Sequence, residues 1–304
     1  MTAAQHFINR NQLPQSYLQS AERWFSLLLE QFASQYQPQL PPQILGINGS
    51  QGSGKSTMAD YLCSIAGERH GIQTVNLSMD DFYLTKQQRL HLADTVHPLL
   101  ATRGVPGTHD IELMIETINS LKAGKPTLIT RFDKSTDDRV PASQLEMVTG
   151  PVGLIIIEGW CLGATAASDS DLINPINELE RRQDSQGVWR HYVNRALAGS
   201  YQQLFFLIDQ LIMLQAPSFE RVFKWRLEQE TKLRKSLAQD ANSPDSALMN
   251  DQQIKEFIQY FQRITEQLLS ELPRRAQHLY PLDDQRKIIC YLRRQRTPKT
   301  KNPS

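Results

Sequence analysis

Apolar positions recur at two spacings along this chain, and the alternation between them predicts its architecture. Leu18, Ala21, Phe25, Leu28 and Phe32 fall at helical spacing and predict an amphipathic N-terminal helix. The proline-containing stretch 38–42 ends it and leads into Ile44-Leu45-Gly46-Ile47, a first apolar strand. Residues 72–77 read as a second strand, and apolar runs at 127–130, 152–157 and 204–214 read as further buried strands separated by helical stretches. Residues 110–122 form a predicted helix, with Ile111, Met114, Ile115, Ile118 and Leu121 on one face and Gly124 beyond its end. Two longer helices are expected over 218–239 and 251–272, the second stopped by Pro273, with a polar loop at 240–246 between them. Strands alternating with helices predict an α/β fold with a parallel sheet covered on both faces. The expected organisation is a helical extension over 1–40, one catalytic-size domain over 41–292 and a basic tail over 293–304.

The first strand runs into Gly49-Ser50-Gln51-Gly52-Ser53-Gly54-Lys55-Ser56-Thr57, and an amphipathic stretch begins at Met58. This is a P-loop in its strand-to-helix setting. Its glycines let backbone N–H groups turn toward a polyphosphate, Lys55 reaches the β and γ phosphates, and the Ser56 hydroxyl can ligate Mg²⁺. The expected ligand is ATP. No Asn-Lys-x-Asp segment appears, which disfavours a GTPase.

Two carboxylate positions follow. Ser78-Met79-Asp80-Asp81-Phe82-Tyr83 ends the second strand, at the carboxyl edge of the sheet where ligands bind. A carboxylate there can take a proton from an alcohol attacking the γ-phosphate, but Asp80 or Asp81 reads equally well as a turn or helix cap. Ile155-Ile156-Ile157 then delivers Glu158, a Walker B arrangement with glutamate in place of aspartate, suited to holding Mg²⁺ or its water.

Composition changes the picture only by exclusion. With 40% hydrophobic and 21% charged residues the chain is ordinary soluble material. No run approaches the roughly 18 apolar residues of a membrane span, and the first residues lack a signal-peptide pattern, so a cytoplasmic protein without membrane contact is expected. Cys63, Cys161 and Cys290 form no CxxC pair, which argues against zinc and disulfides. The formal net charge is +1, yet five basic residues lie in the tail, leaving the body at −4 and giving no argument for nucleic acid.

Together, the P-loop, the Asp-x-Phe-Tyr after strand two and the strand ending in Glu-Gly resemble the uridine kinase, phosphoribulokinase and pantothenate kinase group. Within it, the segments 103–110, 131–135, 158–163 and 174–180 resemble the D-glycerate 3-kinase family, over about residues 40–290. The resemblance implies a P-loop kinase with a helical lid that moves the γ-phosphoryl of MgATP to D-glycerate. It gives Asp80 the place of the catalytic carboxylate, Glu158 that of the metal-side acid, and Thr108, His109 and Asp110 the wall of the acceptor site, with Tyr83 beside them. Arg103, Arg131, Lys134 and Arg139 supply cations that a carboxylate substrate needs. The loop after Asp133 is shorter than in plant and fungal members, which carry a longer, glycine-containing insert before the Asp-Arg pair. Arg226 and Arg234, eight residues apart on one helix face, match the lid and are expected over the phosphates. A kinase for pantothenate, a nucleoside or another polyol acid stays open, as does a non-catalytic nucleotide sensor.

Overall fold

The computed structural model of the chain describes residues 1–237 and 249–294, except for the side chains of 232–237. The expected polar loop at 240–246 and the tail from residue 295 lie outside the described residues, and so does the side chain of Arg234.

Helices α1 (Ala3–Arg10) and α2 (Ser16–Gln35) precede strand β1 (Gln43–Gly49), the P-loop and α3 (Lys55–His70). Next come β2 (Thr74–Ser78), α4 (Lys86–Thr95) and α5 (Ile111–Lys122). Four two-residue strands follow: β3 (Thr127–Leu128), β4 (Phe132–Asp133), β5 (Asp138–Arg139) and β6 (Met147–Val148). The chain continues through β7 (Leu154–Gly159), α6 (Glu178–Gln183), α7 (Val188–Ala198), α8 (Ser200–Leu207) and β8 (Gln210–Gln215). It closes with α9 (Phe219–Leu237), α10 (Asp251–Glu271), β9 (His278–Pro281) and β10 (Leu292–Arg293).

The main sheet has the order β10-β9-β8-β1-β7-β2, parallel throughout except for the antiparallel edge strand β10. The expected α/β architecture is present, with three differences. Residues 127–130 do not join this sheet, because Thr127 and Leu128 pair with β6 in a separate antiparallel ribbon. A four-residue apolar run carries no information about which sheet it enters. The run 204–214 is not one strand: α8 ends at Leu207, and Asp209 breaks the run by accepting the Ile44 N–H at 2.9 Å through its carboxylate. Arg293 pairs with His278, so the sheet continues one residue past the boundary expected at 292.

Aromatic packing joins the N-terminal helices to the sheet. α3 lies against β1, β2 and β7, and α1 and α2 lie against α3. Tyr61 of α3 meets Phe7 edge-on at 5.5 Å and Phe25 at 5.9 Å, and Phe25 in turn meets Tyr280 of β9 at 5.6 Å. Helix α1, absent from the periodicity reading, is short and buries only Phe7 and Ile8; Thr2 caps it by accepting the Gln5 N–H. In mid-β1, Gly46 admits Leu162 and Ile208, which would lie 2.8 and 3.0 Å from any Cβ placed there.

His278 ties β9 to β8 and to the residue before β10. Its Nε2 donates to the Gln210 side chain at 2.6 Å and its Nδ1 accepts the Tyr291 hydroxyl at 2.8 Å, a pattern that one ring proton satisfies. Burial, with Arg293 adding repulsion, pushes its pKa down to about 4. The unfolded chain takes up this proton near pH 6.5 while the folded chain refuses it, so stability is lost as pH falls from about 6.5 toward 4. Urea unfolding midpoints measured between pH 7.5 and 5 are expected to show that loss, and His278→Gln is expected to make the slope shallower.

Candidate active site

The parallel register brings the candidate residues to one sheet edge. Ile47 of β1 and Ser78 of β2 both lie beside Glu158 of β7, so the P-loop, the Asp80 turn and the Glu158 strand end emerge side by side. Asn48 locks this edge by donating to the carbonyls of Trp160 at 2.9 Å and Leu162 at 2.8 Å. Gly52 and Gly54 adopt φ of +78° and +92°, which other residues rarely tolerate, and Gly54 caps α3. A Cβ on Gly52 would lie 2.9 Å from that of Trp225, because α9 packs directly on the loop.

Lys55 and Ser56 open α3 and meet Glu158. The Ser56 hydroxyl donates to Glu158 Oε1 at 2.8 Å, and Lys55 Nζ lies 3.7 Å from Oε2. Glu158 is buried, and its Oε2 makes no hydrogen bond to the protein. A buried carboxylate oxygen without a hydrogen-bonding partner, beside a hydroxyl whose lone pairs stay free, is a donor set that suits a hard cation such as Mg²⁺. Among the described residues no cluster of three His, Cys, Asp or Glu side chains could cage a metal, so other ligands would have to come from phosphates and water. The hydroxyls of Ser50 and Ser53 are also buried in the loop without partners.

Asp80, not Asp81, faces the cleft. Its Oδ1 accepts the Tyr83 hydroxyl at 2.7 Å and its Oδ2 accepts Lys134 Nζ at 2.9 Å. Burial opposes its charge, but Lys134, Lys55 and the Tyr83 hydrogen bond prevail and hold the carboxyl well below the usual carboxylate range. Asp81 instead accepts Arg131 at 2.8 Å and the Phe132 N–H at 3.2 Å, anchoring β4.

A cleft of about 380 Å³ joins these groups. Gln51, Gly52, Lys55 and Ser56 form one wall, Asp80, Tyr83, Arg103 and Lys134 a second, and Trp160, Arg226, Gln229, Phe257 and Phe261 a third. Gly49, Ser50, Ser53, Gly54 and Thr57 shape the loop without lining this space. Of the eight residues expected at the acceptor, Thr108, His109, Asp110 and Arg139 also stand behind the cleft. Thr108 is fully buried and closes its own turn, donating to the Val105 carbonyl and accepting the Gly104 N–H. His109 packs behind Tyr83, its ring tilted and the ring centres 4.8 Å apart, and accepts the Tyr201 hydroxyl, and burial lowers its pKa to about 4. Asp110 caps α5 and pairs with Arg139 at 2.9 Å, while Arg139 also donates to the Tyr83 carbonyl. These four residues brace the wall that Tyr83 presents.

Sequence reasoning missed the aromatic wall and two carboxylates. Trp160 donates to the Gly104 carbonyl at 2.8 Å and meets Phe261 edge-on at 5.1 Å. Phe257 and Phe261, four apart on α10, carry a spacing that also fits core packing. Asp137 receives both the buried Arg89 and Arg103, fixing the β4–β5 turn that carries Lys134. The segment 174–180 is a brace: Asn177 caps α6 and buried Glu180 binds Arg263 at 2.6 Å.

The model of the phosphoribulokinase/uridine kinase family matches residues 44–169, which hold the P-loop, Asp80 and Glu158. An uncharacterized kinase of Schizosaccharomyces pombe, mug58, is 34% identical over 245 residues, covering 77% of this chain and 83% of that protein. The chain belongs to this kinase family. The chloroplastic D-glycerate 3-kinase of Arabidopsis thaliana is 31% identical over 235 residues, 72% of this chain and 46% of that protein. The solved D-glycerate 3-kinase of Cryptococcus neoformans var. grubii shares the fold, with a TM-score of 0.71 at 24% identity over 92% of this chain and 99% of that one. The family likeness drawn from the motifs is thus borne out, and the protein is a P-loop kinase. Among the described residues no helix is long and apolar enough to cross a membrane.

Arg226, on the third wall, is held by Glu230 at 2.9 Å and lies over the Phe257 ring at 5.7 Å. Glu230 is 1% exposed, and its other oxygen accepts the Met249 N–H at 3.0 Å. Arg226→Ala strands that carboxylate and is expected to cost about 3 kcal/mol in urea unfolding. Adding Glu230→Gln to the same chain is expected to restore most of the loss.

Proposed function

We propose that this kinase transfers the γ-phosphoryl of MgATP to D-glycerate, giving 3-phospho-D-glycerate. The observation that carries the reading is the contact of Lys134 with Asp80 across one cleft from Lys55 and Ser56. It supplies an anion acceptor for a hydroxyl and a cation for a carboxylate within the span of a small hydroxy acid, opposite a phosphate cradle.

Lys55 and the N–H groups of the loop take the phosphates at the positive end of α3, and Arg226 closes on them from α9. Arg234 is assigned to the same face of α9 on spacing alone. Ser56 and Glu158 would hold Mg²⁺, which would supply positive charge to offset that of the phosphates. Asp80 stays ionised and accepts the hydrogen bond of the attacking hydroxyl, aligning its oxygen with the phosphorus. A loose transition state leaves the hydroxyl proton in place until late, so a strongly acidic carboxylate suffices. Lys134 and Arg103 face the acceptor's carboxylate, with Tyr83 fixing Asp80 between them. Thr108, His109, Asp110 and Arg139 keep Tyr83 and the β4–β5 turn in register.

ADP release measured with glycerate, pantothenate, uridine, ribulose 5-phosphate and gluconate tests the acceptor. Glycerate is expected to give the highest kcat/KM, and NMR of the product is expected to place phosphate on the terminal carbon. Preference for another acceptor, or a 2-phosphate product, overturns the reading. Asp80→Asn is expected to cut acceptor-dependent turnover by ~100-fold while ATP still binds. Lys134→Ala and Arg103→Ala are expected to raise KM for glycerate with KM for ATP held, as uniform binding contacts do.

A further inference from the structure

Both oxygens of Asp80 are engaged before any acceptor arrives. Tyr83 occupies Oδ1 at 2.7 Å and Lys134 occupies Oδ2 at 2.9 Å. Each oxygen can accept more than one hydrogen bond, but an attacking hydroxyl competes with these donors for the carboxylate, and the partner that yields is the one less tightly held. Tyr83 is 5% exposed and its ring is packed between His109 at 4.8 Å and Phe132 at 5.1 Å. The Lys134 side chain is 60% exposed, on the turn between β4 and β5. Lys134 is therefore the group that moves.

We propose that Lys134 is a latch on Asp80, which keeps the carboxylate from aligning water against the γ-phosphorus and opens when an acceptor brings an anionic group of its own. The proposal rests on the kinase reading. An ammonium leaves a carboxylate at low cost only for another anion, and an acid acceptor provides one in the same cleft. Water is neutral and offers no such exchange. The contact thus couples recognition of an anionic substrate to exposure of the group that aligns its hydroxyl, and selects acids over neutral alcohols by the same step. In the reaction held back, the water oxygen bonds to the γ-phosphorus, the bridging P–O bond breaks with its electron pair on ADP, and the water proton passes to Asp80 and on to the released phosphate.

The test is ADP release from ATP with no acceptor present. Lys134→Ala is expected to raise the rate several-fold over the natural chain, whereas Lys134→Arg, which keeps the ion pair, is expected to leave it low. Lys134→Ala combined with Asp80→Asn is expected to lose the increase. An unchanged, lower or undetectable rate in Lys134→Ala overturns the latch, and so does an increase that survives in the double variant. Because this assay contains no acceptor, its outcome is separate from the acceptor panel. A raised rate with glycerate rejected leaves the latch and removes the substrate; good turnover of glycerate with no raised rate does the reverse.

Discussion

Parallel pairing of β1, β7 and β2 in one register is the constraint on which the cleft depends. Because Ile47 and Ser78 flank Glu158, three loops of unrelated sequence leave the sheet within reach of one another. Ile44, Leu45, Ile155, Ile156, Ile157 and Leu77 are all buried, so these strands pack on both faces and their place is set by the fit of each side chain rather than by an apolar-polar alternation. The Ser56–Glu158 hydrogen bond is a product of this pairing. Burying Glu158 is costly without partners, and the Ser56 hydroxyl and the Lys55 ammonium are what the fold supplies.

Opposite this rigid edge stands a wall held by charge. The segment from Arg131 to Arg139 has only two-residue strands, and its attachment runs through ion pairs: Arg131 with Asp81, Lys134 with Asp80, Arg89 and Arg103 with Asp137, and Arg139 with Asp110. These pairs are not equivalent. Arg89 is buried and also donates to the carbonyls of Leu84 and Ala101, so its loss would leave acceptors unpaired in the interior. Lys134 lies in solvent, where an ion pair contributes little to stability. Arg89, which builds the wall, and Lys134, which works on it, are thus separated by burial.

The P-loop and the strand ending in Glu158 were legible because both are local patterns whose meaning depends on a few neighbouring residues. Asp80 and Asp81 were not separable in sequence, since one step along a turn decides which carboxylate faces the cleft and which anchors Phe132. The same limit applies to Thr108, His109, Asp110 and Arg139. Thr108, His109 and Asp110 belong to a segment that resembles the family and Arg139 lies just beyond another, but resemblance does not distinguish a residue that touches the cleft from one that supports Tyr83 from behind. The run 204–214 misled for another reason: Leu204 to Ile208 is apolar enough for a strand, and only the contact of Asp209 with Ile44 marks where helix gives way to sheet. Two members of the aromatic wall, Phe257 and Phe261, came from α10, nearly a hundred residues beyond Glu158, at a spacing that core packing produces as well.

Asp80 shows why the surroundings of a carboxylate decide its part in chemistry. A free aspartate near pH 7 is already ionised, and a group held still further below its usual range is a weak base. What it retains is direction. Tyr83 fixes one oxygen and the packed rings of His109 and Phe132 fix Tyr83, so the plane of the carboxylate is set before the acceptor enters. Phosphoryl transfer through a loose transition state asks for alignment of the incoming oxygen more than for removal of its proton. A stiff, weakly basic carboxylate opposite a glycine-shaped phosphate loop meets that demand, and the brace of Thr108, His109, Asp110 and Arg139 is the structural cost of the stiffness.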